Sequence, residues 1–165
     1  MSLSGKQWQK AGYSGPNGDS VFYGTFHHAI DAKGRTSLPA RFRDALAAAG
    51  EPKLFLIQAP GMKALRALPY SLWQKLEERV LQASPFDLKV QRNILRFVAS
   101  AQEIDLDEHG RVLVPGSLRA YASLQKDVVW TGMGRDMCLW DRALYEQETA
   151  EEMAPEDVID FFKGV

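Results

Sequence analysis

The stretch Asp31-Ala-Lys33-Gly34-Arg35-Thr-Ser-Leu38-Pro39-Ala-Arg41-Phe42-Arg43 returns 76 positions later as Asp107-Glu-His109-Gly110-Arg111-Val-Leu-Val114-Pro115-Gly-Ser-Leu118-Arg119. Five of these 13 positions are identical, and the pairs Leu38/Val114 and Phe42/Leu118 stay apolar. A unit written twice at a fixed spacing predicts one supersecondary structure used twice. Two copies in one chain imply a pseudo-twofold object that presents two similar loops side by side. That geometry suits a long repetitive ligand better than a small molecule in a cleft.

Each copy carries its own local instructions. An Asp at the head of a turn can accept from the amides just ahead of it, and Gly34 takes a positive φ without a Cβ penalty. A short strand follows, and then Pro39 or Pro115, which suits the start of a helix. Before the first copy, residues 21–30 (VFYGTFHHAI) are aromatic and β-branched, as strands prefer. After it come a helix bearing Phe42, Ala45, Leu46 and Ala49, strands at 54–57 and 64–68, and a helix bearing Leu72, Trp73, Leu76 and Val80. Ser84-Pro85 breaks that helix and opens a connector with Val90, Ile94, Phe97 and Val98 on one side and Lys89, Arg92 and Arg96 elsewhere. The second half repeats the order, with strands at 101–106, 112–114, 127–131 and 137–140, and Leu144 and Tyr145 on a last helix.

The expected organisation is therefore α+β: a disordered leader or extension at 1–20, a first repeat at 21–84, a connector helix at 85–99, a second repeat at 100–145 and an acidic C-terminal helix or tail at 146–165. Trp73, Trp130 and Trp140 fall in apolar patterns and are expected in the core, while Trp8 lies in the leader.

Composition narrows the function classes. The chain has 165 residues, 45% of them hydrophobic and 25% charged, as a soluble globular protein does. No apolar run approaches the roughly 18–20 residues of a membrane span. One cysteine, Cys138, excludes an internal disulfide framework and fits a reducing cytoplasm. The net charge of −1 conceals an asymmetry. Residues 136–165 hold nine acids against Arg142 and Lys163, a net of −7, so the other 135 residues sum to +6. A basic body with an acidic tail results. Within that tail Val158, Ile159, Phe161 and Phe162 form an apolar knot, which either docks on the body or serves as a partner handle.

Chemistry points to the repeated turns. An arginine directly after a tight hairpin is held by rigid backbone, and its planar fork of donors suits a phosphate or the O6/N7 edge of guanine. Lys33 adds a compact charge inside the first turn. The expectation is that Arg35 and Arg111 project outward to a polyanion. The rival is that each folds back on its own aspartate and merely pins the turn. Arg41 and Arg43 are weaker candidates for backbone contact, Arg41 more so because Ser117 holds its place in the second copy.

Other constellations are bland. His27 and His28 are adjacent, so on a strand they point to opposite faces and cannot share one metal. Gly132-Met-Gly134 lacks the helix and third glycine of a dinucleotide fingerprint and is expected to be a hairpin turn. No nucleophile elbow or metal-ligand cluster is present. The expectation is a protein that is not an enzyme, with no cofactor, no metal, no membrane partner and no small-molecule substrate.

The two 31–43 and 107–115 segments closely resemble the paired signatures of the MraZ family. So do Val90-Gln-Arg-Asn-Ile-Leu95, Val128-Val-Trp-Thr-Gly132 and Leu139-Trp140-Asp141, in the right order from about residue 21 to residue 145. The resemblance implies two tandem AbrB-like swapped-hairpin, β-barrel-like units with flanking helices, assembled into a ring-like homo-oligomer. It further implies a cytoplasmic, nucleoid-associated transcriptional regulator that binds repeated promoter elements in double-stranded DNA upstream of the bacterial division and cell-wall gene cluster. By the same resemblance Lys33, Gly34 and Arg35 form the DNA-reading tip, with Gly110 and Arg111 as counterpart. Two departures stand out: His109 takes the place of Lys33, and family chains usually begin near Phe22, so Val21 could mark the native start. The alternative from another class is an antitoxin-like interaction module whose acidic, apolar tail docks on a partner.

Overall fold

A computed structural model describes residues 20–165 of the chain. The expected leader therefore lies outside the described residues, apart from Ser20, which is buried. Eight strands and six helices follow in the order β1 (Thr25–Ala29), β2 (Arg35–Ser37), α1 (Ala40–Ala48), β3 (Leu54–Gln58), β4 (Leu65–Pro69), α2 (Tyr70–Gln82), α3 (Leu88–Asn93), β5 (Gln102–Ile104), β6 (Arg111–Leu113), α4 (Gly116–Tyr121), β7 (Asp127–Gly132), β8 (Met137–Asp141), α5 (Arg142–Ala150) and α6 (Pro155–Phe162). A π-helical turn over Ile94–Val98 prolongs α3. The architecture is mixed helix and antiparallel sheet.

Six strands form one sheet in the order β1-β7-β8-β4-β3-β5, and β2 pairs with β6 in a separate two-stranded ribbon. Exchanging the two halves turns β1 into β5, β3 into β7 and β4 into β8, so the six-strand order maps onto itself. Its axis passes between β4 and β8, where Arg66 pairs with Cys138. The pairing also crosses between halves. β1 lies against β7 (Phe26 opposite Trp130), and β5 against β3 (Ile104 opposite Leu54).

The central strands are apolar on both faces, which is why they read as unbroken runs. Leu54, Leu56, Leu65, Ala67, Val128, Trp130, Met137 and Leu139 face one way, into a core completed by Phe42 and Leu46 of α1, Leu118 of α4 and Val112 of the ribbon. Their neighbours face the other way. Phe55, Ile57 and Leu68 pack under α2, with Phe55 stacked on Trp73 at 4.4 Å between ring centroids. Val129, Cys138 and Trp140 pack with Tyr145 of α5. Trp73, Trp130 and Trp140 are all buried, as expected.

The barrel-like closure does not form among the described residues. The ribbon strands are three residues each and form a sheet only with each other. The isolated bridge from Ile30 to Thr36 and the bond from the Asp31 amide to the Arg35 carbonyl at 2.9 Å tie the ribbon's first strand to the chain leading out of the sheet. The last helix also differs from expectation: α5 ends at Ala150, and a separate helix, α6, begins at Pro155, because Pro at the first helical position starts a new helix instead of continuing one.

Candidate nucleic-acid interface

The two turns are built identically, atom for atom. In the first, Asp31 Oδ1 accepts from the backbone N–H of Lys33 (3.0 Å) and of Arg35 (2.9 Å), while the Gly34 amide donates to the Asp31 carbonyl at 2.9 Å. In the second, Asp107 Oδ1 accepts from His109 (2.8 Å) and Arg111 (2.9 Å), and Gly110 donates to the Asp107 carbonyl at 3.0 Å. Both glycines sit in the left-handed region, at φ +89° and +72°. These bonds hold the Asp31 and Asp107 carboxyls below the usual carboxylate range, the backbone N–H of Arg35 or Arg111 being the largest cause.

The arginines do not stand free. Arg35 Nε donates to Asp31 Oδ2 at 2.8 Å, and Arg111 Nε donates to Asp107 Oδ2 at 2.8 Å. The expectation of outward projections is corrected to this extent: each guanidinium is anchored by its side edge to its own aspartate. The cause is local, since the carboxylate already fixed by two backbone amides keeps its second oxygen within reach of the residue four positions on. The anchoring does not bury the group. The Arg35 and Arg111 side chains remain 37% and 31% exposed, and their Nη donors have no hydrogen-bond partner among the described residues.

The ribbon joins the turns. β2 and β6 pair with Arg35 opposite Leu113, Thr36 opposite Val112 and Ser37 opposite Arg111. Thr36 and Val112 point inward and are buried. Alternation along a strand then puts Arg35, Ser37, Arg111 and Leu113 together on the outer face. The Cα atoms of Arg35 and Arg111 lie on a diagonal about 8 Å long, from the strand rise and interstrand spacing. Each turn also leans on the other half: the Leu38 amide donates to the Gly110 carbonyl at 3.0 Å, and the Val114 amide to the Gly34 carbonyl at 2.8 Å.

Two further arginines complete the site. A Cβ added at Gly34 would lie 2.8 Å from Arg119 Nε and 2.8 Å from the Val114 carbonyl oxygen; one added at Gly110 would meet Arg43 Nη1. Thus Arg119 of α4 covers the first turn and Arg43 of α1 covers the second. Neither side chain forms a hydrogen bond or ion pair among the described residues, and Arg119 Nε is buried without a partner. The expectation for Arg43 gains a place, at the second tip and not its own. Arg119 was missed as a site residue, although its identity with Arg43 in the repeat was the available signal. Arg41 is exposed at the start of α1, and no hydrogen bond or ion pair ties it to either turn.

The tips differ in charge. The first carries Lys33 and Arg35 against Asp31, with Lys33 exposed. The second carries Arg111 against Asp107 and Glu108, and His109 Nε2 lies 3.4 Å from Glu108. Elsewhere the chemistry is quiet. His28 is held below its usual value, first by burial and then by the nearby Arg43 charge. Burial pushes the Cys138 thiol up to about 12, so at neutral pH it is no thiolate nucleophile or ligand. Among the described residues no cluster of three His, Cys, Asp or Glu could hold a metal ion, and no helix is long and apolar enough to cross a membrane.

Comparison with known proteins agrees with the repeated architecture. The family model described as "MraZ protein, putative antitoxin-like" matches this chain twice, over residues 21–97 and 97–160. A protein of Anaeromyxobacter dehalogenans (strain 2CP-C) named Transcriptional regulator MraZ is 59% identical over 143 residues, covering 87% of this chain and 99% of its own length. Proteins of the same name from Leuconostoc mesenteroides (40% identical over 147 residues, 86% of this chain and 99% of the relative) and Acidovorax sp. (strain JS42) (39% over 143 residues, 87% and 97%) match over the same breadth. Two matched repeats, a sheet that maps onto itself when they are exchanged, and full-length relatives at this identity place the chain in the MraZ family.

Proposed function

We propose that this chain is a sequence-specific DNA-binding transcriptional regulator without enzymatic activity. It acts as a homo-oligomer on repeated promoter elements of the division and cell-wall gene cluster, within the cytoplasm and on the nucleoid. The observation that carries this is the β2–β6 ribbon, with Arg35 and Arg111 diagonal on one outward face and Arg119 and Arg43 leaning over the adjoining turns. A two-stranded ribbon fits the major groove, and arginine is the side chain that reads guanine there. Lys33 and Arg43 contact phosphate, Arg35 and Arg111 read bases or phosphate, and Gly34 and Gly110 let the backbone come close; Arg41 is a lesser phosphate contact. The exchange of β1 and β5 between halves supports treating the units as AbrB-like swapped hairpins, divided at 21–84 and 100–145 and joined through 85–99.

In the free chain the aspartates hold the arginines by Nε, so DNA meets an arranged fork whose Nη donors are still available. The test is promoter-fragment retention by the Arg35→Ala/Arg111→Ala variant, with assembly checked by sedimentation. Affinity should fall by at least about tenfold, and the slope of log affinity against log salt should shrink by roughly one per lost phosphate contact. Undiminished retention, or wild-type affinity that does not respond to salt, would overturn the proposal.

A second reading has one observation in its favour. The α6 helix bears exposed Ile159, Phe161 and Phe162, and this suits an antitoxin-like module with a docking tail. Deleting residues 151–165 separates the two: a regulator keeps its salt-dependent binding to a single promoter element, whereas an antitoxin-like module loses its protein partner.

A further inference from the structure

Helix α6 is amphipathic and uncovered. Every residue of Pro155–Phe162 is exposed, and Ile159, Phe161 and Phe162 are 62%, 78% and 60% accessible. On a helical projection Phe161, Val158, Phe162 and Ile159 share one stripe, with Asp157 on one flank, Glu156 on the other and Asp160 behind. Eight residues are too few for a helix to persist alone in water, so α6 requires a surface to lie on.

The same chain holds a groove of matching chemistry. It runs along α2 on the outer face of the sheet, with a volume of about 440 Å³. Ile57, Leu68, Leu72, Leu76 and Phe97 line it. Lys75 and Arg79 of α2 and Arg135 of the β7–β8 turn stand on its rim, and none of the three has an ion-pair partner among the described residues. The remaining charges there, Arg66 and Asp136, are occupied with each other through two hydrogen bonds of 2.5 and 2.8 Å. An apolar trough with cations on its rim is complementary to an apolar stripe flanked by carboxylates, the arrangement by which helices lie in grooves.

We infer that α6 of one chain docks in the α2 groove of a second copy. Among the described residues helix and groove coexist in a single chain and both remain open, which argues that the occupant comes from another molecule. The contact joins unlike patches, so each chain donates one helix and receives one; such heterologous contacts close into rings or run on as filaments. This deepens the self-association within the proposed function but leaves the DNA-facing ribbon untouched, so either can fail without the other.

The experiment is sedimentation velocity on the full chain, with circular dichroism to confirm that each variant is folded. Ile159→Asp/Phe162→Asp in the helix, and separately Lys75→Glu/Arg79→Glu in the groove, should each weaken self-association by at least about tenfold, as loss of a central anchor does. A chain combining Lys75→Glu/Arg79→Glu with Glu156→Lys/Asp157→Lys should regain much of it. Three results overturn the inference: variants that assemble like wild type, helix variants that dissociate while groove variants do not, or a monomeric wild type. The last would mean that the helix folds onto its own chain or serves a different partner.

Discussion

At the scale of single residues, the turns depend on two glycines that are not equivalent. Both occupy left-handed backbone, where a Cβ costs roughly 1–2 kcal/mol. At Gly110 the added atom meets Arg43 Nη1, the far end of a flexible side chain that can swing aside. At Gly34 it also meets the Val114 carbonyl oxygen, backbone that cannot swing aside because the Val114 amide is held by its bond to the Gly34 carbonyl. Gly34→Ala should therefore cost clearly more than Gly110→Ala, with the latter near 1–2 kcal/mol and the difference visible in chemical denaturation midpoints. Equal losses would mean that the Val114 contact yields freely. The need for glycine was legible from the repeat and from turn chemistry. The posture of the arginines was not: an Asp and an Arg four positions apart serve an outward fork and a folded-back pair equally well, and only the geometry of the Asp carboxylate decides.

At the scale of elements, the repeat identified the strands but not their partners. Alternation along β2 and β6 says which residues face inward; it does not say that β2 seeks β6, because no sequence period encodes a mate. The same gap explains Arg119. Its equivalence with Arg43 was on view, yet that each arginine covers the other half's turn emerges only from the crossed pairing. The two tips of the ribbon share their frame and differ in charge, so their contributions to polyanion binding should differ too. Lys33→Ala removes an exposed cation from the stronger tip and should weaken promoter binding several-fold. His109→Ala should do little, because the Glu108 carboxylate 3.4 Å from its Nε2 offsets what the ring could offer a phosphate. His109→Lys combined with Glu108→Ala rebuilds the first tip's charge on the second, and the gain in affinity should fade as salt rises. Fluorescence anisotropy at two salt concentrations reads all three; a His109→Ala loss as large as that of Lys33→Ala would refute the asymmetry.

At the scale of the molecule, the halves are not domains in the sense of independently folding bodies. Within the first half only β3 and β4 pair with each other; β1 needs β7, β2 needs β6, β3 also needs β5, and β4 needs β8. The inner core is likewise shared, with Phe42 and Leu46 from one half and Val112 and Leu118 from the other closing over the same sheet face. The duplication in the sequence made two units evident, and the crossed strand pairing joins them through one six-stranded sheet. Separation exposes apolar surface and unpaired strand edges together, and a lone two-stranded hairpin is at best marginal in water. A fragment of residues 20–97 should therefore have no stable folded monomer. Because each half is built to complement a near copy of itself, the fragment can regain its missing pairs only from a second fragment, so helical and sheet signal should rise with concentration and track dimer formation in sedimentation equilibrium. A fragment that unfolds cooperatively as a monomer, with a midpoint independent of concentration, would show that the crossed pairings are dispensable and that the pseudo-twofold frame beneath both arginine tips is looser than the register implies.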